Sequence, residues 1–238
     1  MYSKRTFPEA VSHRGLRTAA PENSVPAFIA ALDAGAEGIE LDVHASGDGN
    51  VFVHHDEVFP DGSGSYRQFK TATTSDIEKV RLDGDTPIPR LDAVLEAVGA
   101  RARVYIEIKA RSIENDVARC LKRHSAAHAN YAVHAFDHRV VKRMLEIMPS
   151  VRTGILQVGY PIDSREAMRK AGATDLWQHA DFVDARLVAD VHSSSGRLIV
   201  WTPNDASQWK ALSDLGVDAI CTDRVDSYVE WRRDQIGN

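Results

Sequence analysis

Two short segments of the chain put ionisable side chains where a buried strand is ordinarily apolar. In Gly38-Ile39-Glu40-Leu41-Asp42-Val43-His44, the two-residue alternation of an extended chain sends Ile39, Leu41 and Val43 to one face and Glu40, Asp42 and His44 to the other. The same parity in Val104-Tyr105-Ile106-Glu107-Ile108-Lys109 separates three aliphatic residues from Tyr105, Glu107 and Lys109. With the aliphatic faces packed outward, Glu40, Asp42 and Glu107 converge inside, which is costly without a compensating cation. Oxygen donors of this kind suit Mg2+ or Ca2+ and also admit Mn2+. His13-Arg14-Gly15 and His54-His55-Asp56 end two further extended segments, and paired histidines supply a general base and a general acid at neutral pH. Arg14 as a planar fork and Lys109 as a point charge suit a phosphate. Together these groups describe metal-assisted phosphodiester hydrolysis.

The elements that must hold them alternate along the whole chain. Strand-like runs fall at residues 10–13, 38–44, 51–55, 103–109, 131–135, 153–157, 181–183, 198–202 and 219–222. Amphipathic runs lie between most of them, at residues 24–34, 91–98, 113–124, 138–148, 165–170, 185–193, 207–215 and 227–235. Gly35, Gly172, Gly196 and Gly216 each follow such a run, where a left-handed cap is expected. Eight βα units without a linker predict a single α/β domain over residues 1–238, best met by a (β/α)8 TIM barrel. A doubly wound open sheet is the alternative, since strand count alone does not show closure. One irregular insertion, residues 57–89 after the second βα region, is rich in Gly, Pro and Asp turns and carries Phe59, Tyr66 and Phe69. It reads as a cap over the barrel mouth that contacts the leaving alcohol, with a structural plug or a subunit contact as alternatives.

Composition excludes several classes. A chain of 238 residues with 43% hydrophobic residues buries a core without disulfides or structural metal, and a net charge of -5 argues against nucleic-acid partners. No apolar run reaches the roughly 20 residues of a membrane span, and residues 1–11 lack a secretory core. Cys120 and Cys221 stand apart without ligand spacing, so reduced thiols and a cytoplasmic location are expected.

Seven strings carry a resemblance: His13-Arg14-Gly15, Pro21-Glu22-Asn23-Ser24, Glu40-Leu41-Asp42-Val43, His55-Asp56, Ile88-Pro89-Arg90-Leu91, Glu107-Ile108-Lys109 and Asp218-Ala219-Ile220-Cys221-Thr222-Asp223. In this order, over residues 13–223, the chain resembles the glycerophosphodiester phosphodiesterase family. The resemblance implies a TIM barrel, a divalent cation and release of an alcohol and sn-glycerol 3-phosphate. It implies Glu40, Asp42 and Glu107 as metal ligands, His13 and His55 as the acid and base pair, and Arg14 and Lys109 as phosphate binders. Glu22 is implied as a support of the metal or of the substrate hydroxyls.

The chain departs from the family pattern at two places. Ser24 stands where Thr is common, keeping a hydroxyl for N-capping. After His55-Asp56-Glu57 the Arg-Thr pair of longer members is replaced by Val58-Phe59-Pro60-Asp61-Gly62, which bears on the leaving group.

Other residues have weaker assignments. His54 and His55 compete for one role because parity puts them on opposite faces; the family string favours His55. His44 reads either as a partner of the site or as a surface residue, and Trp201 as an apolar wall of the site or as core. His124, His128, His138, His179 and His192 read as surface residues. Two rival functions are a phospholipase D-like lyase on lysophospholipids yielding a cyclic phosphate, and a non-catalytic phosphate-binding barrel. The sequence gives no sign of an exposed apolar surface, which weighs against the lyase.

Overall fold

The computed structural model describes residues 7–83, 85–124 and 130–237. Eight parallel strands, each followed by a helix, run β1 (Glu9–His13), α1 (Val25–Asp33), β2 (Gly38–Ala45), α2 (Leu91–Val98), β3 (Arg103–Ile108), α3 (Glu114–Arg123), β4 (Tyr131–Ala135) and α4 (His138–Ile147). They continue as β5 (Arg152–Gln157), α5 (Ser164–Ala171), β6 (Asp175–His179), α6 (Ala185–Ser193), β7 (Arg197–Trp201), α7 (Ala206–Leu215), β8 (Ala219–Thr222) and α8 (Val225–Gly237). The sheet closes where β8 pairs with β1, Val11 opposite Cys221, and β1 pairs with β2, His13 opposite Glu40. The fold is therefore a TIM barrel and not an open sheet.

Parity along the strands sorts two cores. Ile39, Leu41, Val43, Val104, Ile106 and Ile108 pack outward with the helices. Inside the barrel lie Val11, Tyr105, Ala132, Leu156, Trp177, Ile199, Ala219 and Cys221. Gly154 of β5 makes room for this filling, since a Cβ there would stand 2.8 Å from Trp177 Cδ1. The N-terminal end of the barrel is plugged by polar contacts: Arg197 Nη2 donates to Glu9 Oε2 at 2.6 Å, Tyr105 donates its hydroxyl to Glu9 Oε1 at 3.0 Å, and Arg103 reaches Glu9 Oε2 at 3.3 Å. Beside them Arg152 forks onto buried Asp175 at 2.6–3.0 Å. The opposite end stays open for the loops that carry the chemistry.

Ser24, Asp137, Asp163, Asp184 and Asp205 cap the N-termini of α1, α4, α5, α6 and α7 through their side chains, each such cap contributing about 1 kcal/mol. Gly172 and Gly216 are left-handed as expected, but the residue with positive φ after α6 is Ser195 and not Gly196.

Two strand assignments need correction. Residues 181–183 are not a strand: β6 is the preceding Asp175–His179, and Ala180–Phe182 forms a 310 turn. Its pattern misleads because Asp175, Gln178 and His179 are polar, yet Asp175 and Gln178 are buried and partnered within the fold. Residues 51–55 do not form a barrel strand either. Val51–Val53 turns back antiparallel on the end of β2, with Val43 opposite Val53, and so begins an excursion that returns only at α2.

That excursion has its own small core of Phe52, Phe59, Phe69, Ala72, Ile77, Val80 and Ile88. Phe59 and Phe69, expected to face the alcohol, are 1% exposed within it, while Tyr66 is exposed to solvent. Paired aromatics in a polar loop satisfied each other instead of awaiting a ligand. Among the described residues no helix is long and apolar enough to cross a membrane.

Candidate active site

The chain leaves β1 through a turn that only special backbone conformations allow. Arg14 has φ 58° and Gly15 φ 86°, and a Cβ on Gly15 would lie 2.7 Å from Ala27 Cβ and 2.8 Å from its carbonyl carbon. The turn swings Arg14 back over the mouth, with Nε 3.0 Å from Asp42 Oδ2 and Nη1 donating to Glu22 Oε1 at 3.1 Å. Asn23, also left-handed at φ 55°, donates its amide to Asp42 Oδ2 at 3.0 Å. From β3, Lys109 Nζ stands 3.1 Å from Glu107 Oε1 and 3.6 Å from Asp42 Oδ1.

His13 ends β1, with Nδ1 2.7 Å from Asp223 Oδ1 and Nε2 3.9 Å from Glu40 Oε2. A carboxylate accepts, so Nδ1 carries the proton and, in the neutral ring, the Nε2 lone pair faces Glu40 and the cavity. Asp223 is itself held by Asn204, whose Nδ2 donates to Oδ2 at 2.8 Å and whose Oδ1 accepts from the Asp223 amide. His55 repeats the arrangement with its neighbour, Nδ1 to Asp56 Oδ1 at 2.7 Å. His44 lies flat on Phe69 and bonds the His55 carbonyl through Nε2 at 3.1 Å, so of its two readings the one as a partner of the site fits. His54 packs on Phe69 away from the cavity.

His13, Arg14, Glu40, His55, Glu107 and Lys109 line one cavity of about 100 Å3, together with His134, Phe136, Leu156, Trp177, Trp201 and Cys221. Asp42 sits behind it, fully buried. Glu22 stands at the rim, bonded to Arg14 and Arg17. A larger, open hollow of about 630 Å3 between α5 and α6 holds surface Arg, Glu and Ser side chains without a histidine or a buried carboxylate.

Burial, aided by the charges of Asp42 and Glu107, pushes the Glu40 carboxyl well above its ordinary range. Burial and the charge of Asp42 push Glu107 up to about 7 against the pull of Lys109. Burial works the same way on Asp42, but Arg14, Lys109 and Asn23 outweigh it and hold Asp42 below the usual carboxylate value. Asp223 is likewise held down to about 2, burial being outweighed by the hydrogen bond and charge of His13. Burial drives His134 down to about 3, so this ring is neutral.

Ten buried polar atoms have no hydrogen-bond partner among the described residues, and five of them belong to the site: Arg14 Nε, Glu40 Oε2, Asp42 Oδ1, His134 Nδ1 and Trp201 Nε1. Ligand atoms of Glu40, Glu107 and His134 come within 4.8 Å of one another. Two crowded carboxyls with an unpartnered oxygen fit a divalent cation, which would relieve both the repulsion and the orphaned atom. Of the expected ligands, Glu40 and Glu107 share this group; the third nearby donor is His134, while Asp42 is engaged by Arg14, Asn23 and Lys109. A second group, Asp92, Cys120 and His124, meets between α2 and α3, but Arg123 already forks onto Asp92 at 2.7–3.2 Å. Both cysteines are buried and unpaired.

Sequence reasoning missed Asn23, His134, Phe136, Asn204 and Asp223 as parts of the site. The parity argument used on β2 would have found His134, because Ala132 and His134 share the inward face of β4. His179, expected at the surface, stands edge-on to Trp201 at 5.1 Å on the rim; His128 lies outside the described residues. The expected lack of exposed apolar surface is also overturned, since Phe136, Val158, Tyr160, Ile162 and Phe182 are exposed on neighbouring loops of the mouth.

Residues 13–227 match the model of the glycerophosphoryl diester phosphodiesterase family. A glycerophosphodiester phosphodiesterase of Bacillus altitudinis is 27% identical over 94% of this chain and 97% of its own. One of Caldanaerobacter subterraneus subsp. tengcongensis is 26% identical over the same shares, 94% and 97%. Among solved structures, a phosphodiesterase of Oleispira antarctica in complex with its product sn-glycerol-3-phosphate superposes with a TM-score of 0.84, covering 95% of this chain and 97% of that one at 20% identity. At that identity the likeness speaks for the fold.

Proposed function

The chain belongs to the glycerophosphoryl diester phosphodiesterase family, and from that premise we propose that it hydrolyses glycerophosphodiesters to an alcohol and sn-glycerol 3-phosphate, using one divalent cation and the pair His13 and His55. The observation that carries this reading is one cavity in which two of the three lining histidines, His13 and His55, are each oriented through Nδ1 by a carboxylate, beside the crowded Glu40 and Glu107.

Glu40 and Glu107 would hold the cation, with Asp42 or His134 as the further donor; Mg2+, Ca2+ and Mn2+ suit such a set. The chemistry a divalent cation supplies there is positive charge for the phosphoryl oxygens. Arg14 and Lys109 orient the phosphate and balance charge gathering on its equatorial oxygens. Asp42 keeps both cations in place, and Asn23 keeps Asp42 in place. One histidine takes the proton of the attacking hydroxyl through Nε2 as the new P–O bond forms; the other gives a proton to the alcohol oxygen as the old P–O bond breaks. Trp201, Phe136 and Leu156 make one side of the cavity apolar.

The test is release of sn-glycerol 3-phosphate from glycerophosphocholine, -ethanolamine, -inositol and -glycerol, each with Mg2+, Ca2+, Mn2+ or EDTA. Metal-dependent product from at least one of them is expected. Ligand binding without turnover under every metal would overturn the reading in favour of a phosphate-binding barrel. Mass spectrometry of the earliest product separates direct attack by water from a cyclic phosphate formed by the glycerol 2-hydroxyl.

A further inference from the structure

We infer that His134 gives a ring nitrogen to the cation held by Glu40 and Glu107, so that the site prefers divalent transition ions such as Co2+ and Zn2+ to Mg2+ and Ca2+. This rests on the reading of the cavity as a cation site and names the class of ion it takes.

The strands bring the ring to the level of the carboxylates. Asp42 of β2 stands opposite Glu107 of β3, and Glu107 stands opposite His134 of β4. Gly154 follows opposite His134 on β5, and its missing side chain leaves the room that Trp177 fills. His134 lies face-to-face on that indole, with ring centroids 4.1 Å apart and planes within 6°. The stack fixes the plane of the imidazole, so its nitrogens can meet partners only along that plane.

No protein partner meets them there. The residue is 2% exposed, buried Nδ1 has no hydrogen-bond partner among the described residues, and Nε2 is 3.8 Å from Glu40 Oε1, too far for a hydrogen bond. Buried polar atoms are ordinarily satisfied, because leaving one unpaired costs free energy. The spacing of the neighbouring donors points to what satisfies this ring. Ligand atoms of Glu40, Glu107 and His134 lie within 4.8 Å of one another, and donors about 2.1 Å from a shared ion stand roughly 3–4 Å apart.

Asp42 is the poorer third donor. Asn23 donates to its Oδ2, Arg14 Nε stands 3.0 Å from the same oxygen, and Lys109 Nζ stands 3.6 Å from Oδ1. An ion bound through Asp42 would share those oxygens with two positive charges, whereas the His134 ring carries none. Carboxylates alone suit hard Mg2+ or Ca2+; an imidazole among them raises the affinity for Co2+ and Zn2+. His13 Nε2, 3.9 Å from Glu40 Oε2, is the competing nitrogen.

The test reads the bound ion without substrate. Mn2+ is added to metal-free protein, and electron spin-echo modulation from a histidine nitrogen is expected in the wild type and in the His13→Ala/His55→Ala double variant, but not in His134→Gln. Co2+ and Zn2+ should displace that Mn2+ at concentrations about 10-fold or more below those of Mg2+ and Ca2+, and His134→Gln should shrink this advantage about 10-fold. Nitrogen modulation that survives His134→Gln, that is missing from the wild type or that vanishes in the double variant would overturn the inference, as would an unaltered ion ranking. Should His134→Gln fail to fold, the double variant decides: retained modulation supports His134, and lost modulation assigns the nitrogen to His13 or His55. Metal-dependent hydrolysis beside a nitrogen-free spectrum would sink the inference and leave the phosphodiesterase reading standing, whereas absence of any bound Mn2+ would remove the cation site as well.

Discussion

His13 and Asp223 are 210 residues apart in the chain and 2.7 Å apart in the fold, Nδ1 to Oδ1. The contact joins the first and last strands of the barrel, so closure of the sheet and orientation of the imidazole are one event. Asp223→Asn removes the charged acceptor and lets an amide donate toward Nδ1, which favours the wrong tautomer. We expect kcat to fall about 10²–10⁴-fold with KM within a few-fold. Steady-state kinetics check this, and an unchanged kcat would refute the orienting role.

The histidine pair should act as a coupled unit. The kcat/KM profile should be bell-shaped, its limbs belonging to the pair. His13→Ala and His55→Ala should each cost about 10²–10⁴ in kcat. His54→Ala should cost far less, because its ring packs on Phe69. An inactive His54→Ala beside an active His55→Ala would exchange their roles.

Metal binding should be visible without catalysis. EDTA should abolish turnover, added Mg2+, Ca2+ or Mn2+ should restore it, and the melting temperature should rise on adding the cation to metal-free protein. Glu40→Gln and Glu107→Gln should shrink that rise. If the metal-free enzyme retains full activity, the Glu40 and Glu107 pair has another purpose.

The same pair sets a pH dependence for metal-free protein. Burial and Asp42 raise Glu107 from its ordinary 4.5 to about 7 in the folded state. The fold therefore holds this proton more tightly than the unfolded chain does. Its stabilising contribution is full below pH 4.5 and is lost as pH rises through about 7, on the order of 3 kcal/mol. Glu107→Gln should remove that segment of the stability-against-pH curve, measured by urea unfolding in EDTA. An unaltered curve would contradict it.

Most of the barrel could be read from the chain because strand parity and helix periodicity are local signals. Glu40, Asp42 and Glu107 stood out as charges at inward positions of otherwise aliphatic strands. His134 is equally inward, but no carboxylate or cation alternates with it in Tyr131-Ala132-Val133-His134-Ala135, so nothing in its strand singled it out and it received no role. β6 was misplaced because its polar residues are satisfied by partners distant in sequence, such as Arg152 for Asp175. The insertion was misread for a similar reason: Phe59 and Phe69 find each other at 4.9 Å, a contact that no local pattern announces.

Gly15→Ala tests the turn that delivers Arg14. The new Cβ would meet the backbone of Ala27 at 2.8 Å in a left-handed conformation, for a cost of about 1–3 kcal/mol from strain and overpacking. The melting temperature should drop, and kcat/KM should fall further than stability explains because the guanidinium moves off Asp42. Wild-type activity in a folded variant would show that the turn does not set the Arg14 position.

The salt-bridged plug of Glu9, Arg103, Tyr105 and Arg197 gives the barrel a single door. Whatever enters must leave the same way, and on the proposed reading the product that keeps the phosphate is the one Arg14 and Lys109 hold. Departure is then expected to be ordered, alcohol first. sn-Glycerol 3-phosphate should compete directly with substrate, whereas the alcohol should not, so that accumulating phosphorylated product should slow turnover by occupancy of one exit.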